Sequence, residues 1–255
     1  MNPLTPGTMA LVGLLATRIG GTLLIAPMFS AKSVPRMVRV ALLALLTMTA
    51  LPGLMGSAPP PQLSPAAFLS EMVVGIAIGM GAAVFVGAAE VAGDLLAVQS
   101  GLSGAATLDP FSQAHTTALA DFMKMFVVVL ILSLDGHLII LDALLASTDV
   151  IPVGAGIAAE QGLGALVATG GHLFALGVQI AAPVTAAVLI TNVAMGVLAR
   201  TAPQLQVFML AYPLQIVVGL FTLAMALPLI GTLFLDWPGQ YRGLVGHLLD
   251  SLGGR

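Results

Sequence analysis

Between Glu160 and Arg200 the chain runs through 39 positions without a charged residue. As one straight α-helix that stretch is about 58 Å long, close to twice the ~30 Å hydrocarbon thickness of a bilayer. Only lipid or other apolar protein can cover such a run. The same scarcity extends along the whole chain, where 7% of 255 residues are charged and 58% are hydrophobic. A soluble domain carries about 25% charged residues, so a water-facing globule is excluded and the composition predicts an all-α, membrane-embedded helical protein. A net charge of -3 supplies no basic field to hold phosphates, which argues against nucleic acid as a partner. With no cysteine, disulfides, thiolate zinc sites, iron–sulfur ligation and cysteine nucleophiles are absent.

Six apolar segments long enough to approach a membrane crossing are predicted, at approximately 9–29, 38–55, 68–89, 122–147, 164–199 and 207–235. Pro183 lies near the middle of the fifth. A kinked helix, a re-entrant pair and a helix projecting beyond the lipid are all compatible with that placement. The first segment contains Arg18 and follows no positive side chain, so it is expected to be retained and not cleaved as a signal peptide. Lys32, Arg36 and Arg39 cluster after it, whereas the Pro59 to Pro61 connector carries no charge. Basic connectors tend to stay cytoplasmic, which places the first connector inside and the proline-rich turn outside. Glu90 to Asp121 reads as a long, polar and irregular inside connector.

Few positions carry visible chemistry. Gly75, Gly79, Ala83 and Gly87 follow at steps of four, a stripe that admits another helix closely, in this chain or in another subunit. Arg18 sits mid-segment, where an uncompensated charge costs about 2.5–3.5 kcal/mol on insertion scales. It needs a partner, and Glu71, Glu90 or a carboxylate of another chain are the candidates, with a structural ion pair favoured over a substrate site. Asp135, His137 and Asp142 interrupt the fourth segment. An Asp/His pair at membrane depth can relay protons, but Asp-Gly-His also reads as a local helix break, which is favoured. Gly154, Gly156 and Ala159 spell G-x-G-x-x-A without a preceding strand and read as a turn, not a dinucleotide fingerprint. The histidines (His115, His137, His172, His247) show no metal-ligand spacing, so neither a metal nor another cofactor is expected, and no catalytic residue is visible.

A set of short elements, each weak alone, occurs in one order along almost the whole chain. They are Arg18-Ile-Gly with Ala26-Pro-Met-Phe, Val34-Pro35 and Arg39; Ala92-Gly-Asp with Gln99-Ser-Gly-Leu-Ser, Asp109-Pro110 and Gly136-His137; and Ala181-Ala-Pro with Gly196-Val-Leu-Ala-Arg200-Thr-Ala-Pro203-Gln204, Val207-Phe208 and Tyr212-Pro213. In these elements the chain resembles the FliR/SctT family of type III secretion export-gate proteins. The resemblance implies a non-enzymatic subunit at the bacterial inner membrane, in the flagellar basal body. There it would form, with FliP-like and FliQ-like subunits and a surrounding FlhB-like protein, the pore that unfolded proteins cross.

It further implies a FliP-like part over about 1–160 and a FliQ-like helical hairpin and tail over 161–255. A pore plug loop is implied at Gly101, Leu102, Ser103, Gly104, Ala105, Ala106, Thr107, Leu108, Asp109 and Pro110, slimmer here than the bulky apolar residues common in the family. Arg200, Pro203 and Gln204 carry a family motif of their own. Virulence secretion in place of flagellar export is one alternative. A proton-coupled secondary transporter built on Arg18, Asp135 and His137 is another, although the two related halves of such a transporter are not evident.

Overall fold

The computed structural model describes residues 6–31, 33–55, 62–102, 117–201 and 207–254, and among them every regular element is a helix. In chain order these are α1 (Pro6–Ile25), α2 (Pro27–Ser30), α3 (Arg36–Leu54), α4 (Pro65–Gln99), α5 (Ala118–Ser133), α6 (Gly136–Val150), α7 (Ala159–Thr201), α8 (Val207–Phe234) and α9 (Trp237–Leu252). Prolines mark several starts, since a fixed φ and a missing N–H fit the first turn of a helix. Pro27 opens α2 after an extended Ala26, and Pro35 precedes α3. Five helices are long and apolar enough to cross a membrane: Pro6–Ile25, Arg36–Leu54, Pro65–Gln99, Ala159–Thr201 and Ala211–Phe234. The pair α5 and α6 adds a sixth if counted as one span.

Two compact units are present. The first comprises Met1–Val84, Ile131–Gly171 and Trp237–Arg255. Its core is the first half of α4, against which α1 lies so closely that glycine is required. A Cβ on Gly75 would stand 2.1 Å from the Arg18 carbonyl oxygen, and one on Gly79 2.9 Å from that of Thr22. A third glycine, Gly81, makes room for α9: a Cβ there would meet Val245 Cγ2 at 2.5 Å. The buried face of α9 (Trp237, Tyr241, Val245, Leu248, Leu249, Leu252) recurs every three or four residues, the spacing of one helical stripe. Trp237 stacks on Tyr241 with ring centroids 5.1 Å apart, and the Tyr241 hydroxyl donates to the Ile78 carbonyl at 3.2 Å. Burial pushes the pKa of that phenol upward, so it remains a neutral donor.

The second unit comprises Phe85–Leu130 and His172–Asp236. Here α4 and α5 close on one another at Gly93, where a Cβ would lie 2.5 Å from Ala120 Cα. Phe85 and Phe234 meet edge to face at 6.5 Å.

Four places in the backbone settle or depart from the sequence expectations. The fifth segment is the single 43-residue helix α7 with Pro183 inside it, so no re-entrant pair forms. The connector expected over 90–121 is helical to Gln99 and again from Ala118, because its Ala and Leu residues favour helix and Glu90 and Asp94 lie on the face α4 turns to Lys124 and Thr117. The fourth segment is broken: α5 and α6 meet at 70°, with Asp135 left-handed at φ 56, ψ 28. A Cβ on the following Gly136 would stand 2.3 Å from Ile131 Cγ2, which explains the glycine. The tail holds the amphipathic helix α9, and the turn before it repeats the Leu-Asp spelling of the first break, Leu134-Asp135 and Leu235-Asp236.

Trp237 is the only tryptophan and is fully buried. The intact chain is therefore expected to show blue-shifted tryptophan emission with little acrylamide quenching. Water-exposed emission in a folded preparation would show that α9 is undocked.

Candidate functional site

Arg18 stands on the face that α1 turns toward α4, with no solvent exposure. At that depth the guanidinium needs acceptors for its N–H groups, and three groups of the first unit supply four acceptor oxygens. Its Nε donates to Glu71 Oε2 at 2.6 Å and its Nη2 to Glu71 Oε1 at 3.1 Å. Nη2 also reaches the Ile151 carbonyl at 2.9 Å, and Nη1 the Ser147 hydroxyl oxygen at 3.1 Å. That hydroxyl in turn donates to the Leu144 carbonyl. Glu71, equally buried, takes one further hydrogen bond from the Gly154 N–H at 2.8 Å. The cluster joins α1, α4, the end of α6 and the turn ahead of α7.

Of the candidate partners for Arg18, Glu71 holds it, while Glu90 pairs with Lys124 in the second unit at 2.9 Å. Ser147, the Ile151 carbonyl and Gly154 were not legible as partners. The glycine at 154 was the one sign in the sequence: it adopts φ 85, the left-handed geometry glycine tolerates. The stretch containing Gly154, Gly156 and Ala159 is an irregular turn ending at the first residue of α7.

The glycine stripe divides along its length. Gly75 and Gly79 receive the backbone of α1, whereas a Cβ on Gly87 would meet Leu173 Cδ1 in the second unit at 3.1 Å. Ala83 is half-buried. Asp135 is exposed at the helix break, and His137 is half-buried in the first turn of α6. Asp142, also exposed, lies 3.9 Å from Arg242 of α9. No hydrogen bond links Asp135 to His137 among the described residues, and no group of three or more metal-ligating side chains occurs among them.

The loop after α4 is framed by its ends. Leu102 N–H donates to the Ala97 carbonyl and Gly101 adopts φ 72, the glycine-terminated ending common to helices. A Cβ on Gly101 would stand 3.0 Å from Tyr212 Cδ1 of α8. At the far end Thr117 gives both its N–H and its hydroxyl to Asp94 Oδ1, at 3.3 and 2.9 Å, and its oxygen caps the Ala120 N–H of α5. Ser103 to Pro110 lie outside the described residues, as do Pro203 and Gln204; Arg200 is exposed near the end of α7.

The fold and this interior define an all-α membrane protein whose most deeply buried charges are consumed in holding its own helices together. The chain belongs to the FliR family of bacterial export proteins: the family model described as bacterial export proteins, family 1, matches residues 9–238. It is 32% identical over 229 residues to the flagellar biosynthetic protein FliR of Escherichia coli (strain K12), covering 89% of this chain and 88% of that one. Against the protein of the same name from Pectobacterium carotovorum subsp. carotovorum it is 30% identical over 207 residues, 80% of this chain and 79% of the relative. Against that of Caulobacter vibrioides it is 28% identical over 236 residues, 91% and 93% of the two chains.

Removing one partner of the buried pair strands the other charge, at a cost of about 3–5 kcal/mol. Glu71→Gln and Arg18→Met are each expected to lower the thermal midpoint of the purified chain sharply, and the Arg18→Met/Glu71→Leu double variant to regain most of the loss. Additive losses in the double variant would contradict the pairing. Gly75→Ala is expected to be damaging as well, whereas Gly53→Ala, with nothing within 4 Å of the new Cβ, is tolerated.

Proposed function

We propose that this chain is a subunit of the flagellar protein-export apparatus in the bacterial inner membrane. In this reading it joins FliP-like and FliQ-like subunits and a FlhB-like protein to form the gate through which unfolded flagellar proteins cross. The observation that carries the proposal is the 32% identity to a flagellar biosynthetic protein over nearly the full length of both chains. Virulence secretion is the less favoured variant, since the relatives at hand are named for flagellar biosynthesis.

The surface chemistry supports the same reading. Phe174, Leu189 and Ile190 of α7 and Val217, Phe221 and Met225 of α8 all expose more than half of their area. At 43 residues, α7 is about 64 Å long, which exceeds the hydrocarbon layer twofold. Apolar side chains beyond the lipid need protein neighbours. Helices α7 and α8 are the proposed FliQ-like hairpin and the chain before them the FliP-like part. The exposed Arg200, with Pro203 and Gln204 of the same motif, is proposed to serve contacts with other subunits.

The proton-transporter reading lacks its relay: Arg18 is engaged by Glu71, Ser147 and the Ile151 carbonyl, and Asp135 and His137 are not joined. The proposal is non-enzymatic. A gate must seal against ions yet pass an unfolded chain, which requires weak and reversible contacts at its barrier. Gly101 to Pro110 is the proposed barrier: its sequence offers glycines for backbone rearrangement and, apart from Asp109, no charged side chain that could lock it.

In the native bacterium, deleting this chain is expected to abolish filament export and swimming. Restoring it without Gly104 to Leu108 is expected to return an assembled complex that leaks small ions. Normal motility in the full deletion would overturn the flagellar assignment. An assembled loop deletion as ion-tight as the parent would place the barrier elsewhere.

A further inference from the structure

The turn between α2 and α3 carries positive charge that nothing described in the chain balances. Arg18, Lys32, Arg36 and Arg39 all precede Glu71, which is the first acidic residue in the sequence. Arg18 is consumed by Glu71, which leaves the other three bases within eight consecutive residues. Among the described residues no carboxylate pairs with Arg36 or Arg39. The Arg39 Nη2 donates to the Ser30 and Ala31 carbonyls at 3.2 and 2.7 Å. Those neutral acceptors hold the guanidinium at the end of α2 without cancelling its charge, so the turn presents a fixed positive centre. Arg36 is exposed beside it.

The neighbouring apolar side chains decide what covers that charge. Met37 is 84% exposed and Val40 62%, and Leu24 at the end of α1 is 65% exposed. Both helices meeting here, α1 and α3, are long and apolar enough to span a membrane. Bases set among exposed apolar residues at the ends of two such helices suit the level where hydrocarbon gives way to headgroups. A guanidinium also matches the oxygens of a phosphate in geometry as well as charge. A zwitterionic headgroup offers that phosphate with its own cation attached. An anionic headgroup offers it with net charge to spare.

We propose that the α2–α3 turn is a docking surface for the headgroup phosphate of anionic phospholipid, with Arg36 and Arg39 as its charged contacts. The inference stands on charge and exposure in this unit and does not depend on the export reading. Each base near an anionic surface strengthens the attraction about fivefold, and the attraction weakens as salt screens it.

The chain has no cysteine, so Ser33→Cys, at an exposed position of the turn, gives a unique site for an environment-sensitive fluorophore. The full-length labelled chain is placed in nanodiscs of mixed phosphatidylcholine and phosphatidylglycerol, with one or the other lipid brominated as quencher. At equal mole fractions brominated phosphatidylglycerol is expected to quench several-fold more strongly. That preference is expected to fall about fivefold in Arg36→Gln, to survive in Arg36→Lys, and to shrink in high salt. Because Arg36 is exposed, its replacement leaves the fold intact, which circular dichroism checks. Equal quenching by both lipids, or a preference unchanged in Arg36→Gln, would overturn the proposal. Quenching by neither lipid would overturn it too, and would mark the turn as lying away from the headgroup layer.

Discussion

A guanidinium and a carboxylate sealed from solvent in a chain this poor in charge set a demand that its surroundings must meet. Taking either ion out of water costs several kcal/mol, and only a bidentate pair with its remaining hydrogen bonds satisfied recovers that cost. Arg18 and Glu71 meet each other in that way, and the leftover donors and acceptors reach Ser147, the Ile151 carbonyl and the Gly154 N–H. Satisfying one ion pair therefore fixes where α1, α4, the end of α6 and the turn before α7 stand in the first unit. The neighbouring glycines serve the same geometry. Only with Gly75 bare can α1 approach until the Thr22 hydroxyl reaches the Gly75 carbonyl at 3.0 Å.

Much of this was legible before the structure, and the failures share a cause. Helical character and membrane affinity followed from the lack of charge, and Arg18 announced its need for a partner. Glu71, Glu90 and a carboxylate of another chain all stood as candidates because sequence spacing does not tell which lies at the depth of Arg18. Polar residues at 90 and 94 suggested an irregular connector, yet they lie one helical turn apart on the face of α4 that meets Lys124 of α5 and Thr117 just ahead of that helix. The tail was passed over because Gln240, Arg242, His247 and Asp250 make it look solvated. Its stripe from Trp237 to Leu252 at intervals of three and four was nonetheless in plain view. Backbone partners such as the Ile151 carbonyl leave no mark in sequence at all.

Function follows from what the interior consumes and what the surface leaves over. Arg18 and Glu71 are engaged with one another, so the most deeply placed charges act as a fastener and not as a relay, while Glu90 and Lys124 pair nearer the surface. What remains is an unusual amount of exposed apolar surface on α3, α7 and α8, on helices whose lengths exceed what lipid alone can cover in the case of α7. A protein of this family with such a surface is read as one part of a larger assembly, in which neighbouring subunits complete the burial that its own fold does not.

The most direct test of that reading is the composition of the particle purified from native membranes through a tag on this chain, determined by native mass spectrometry. The account predicts a heteromeric complex containing other apolar export subunits, in which the chain melts at a higher temperature than it does alone. A stable monomer, or a particle built from copies of this chain alone, would contradict it.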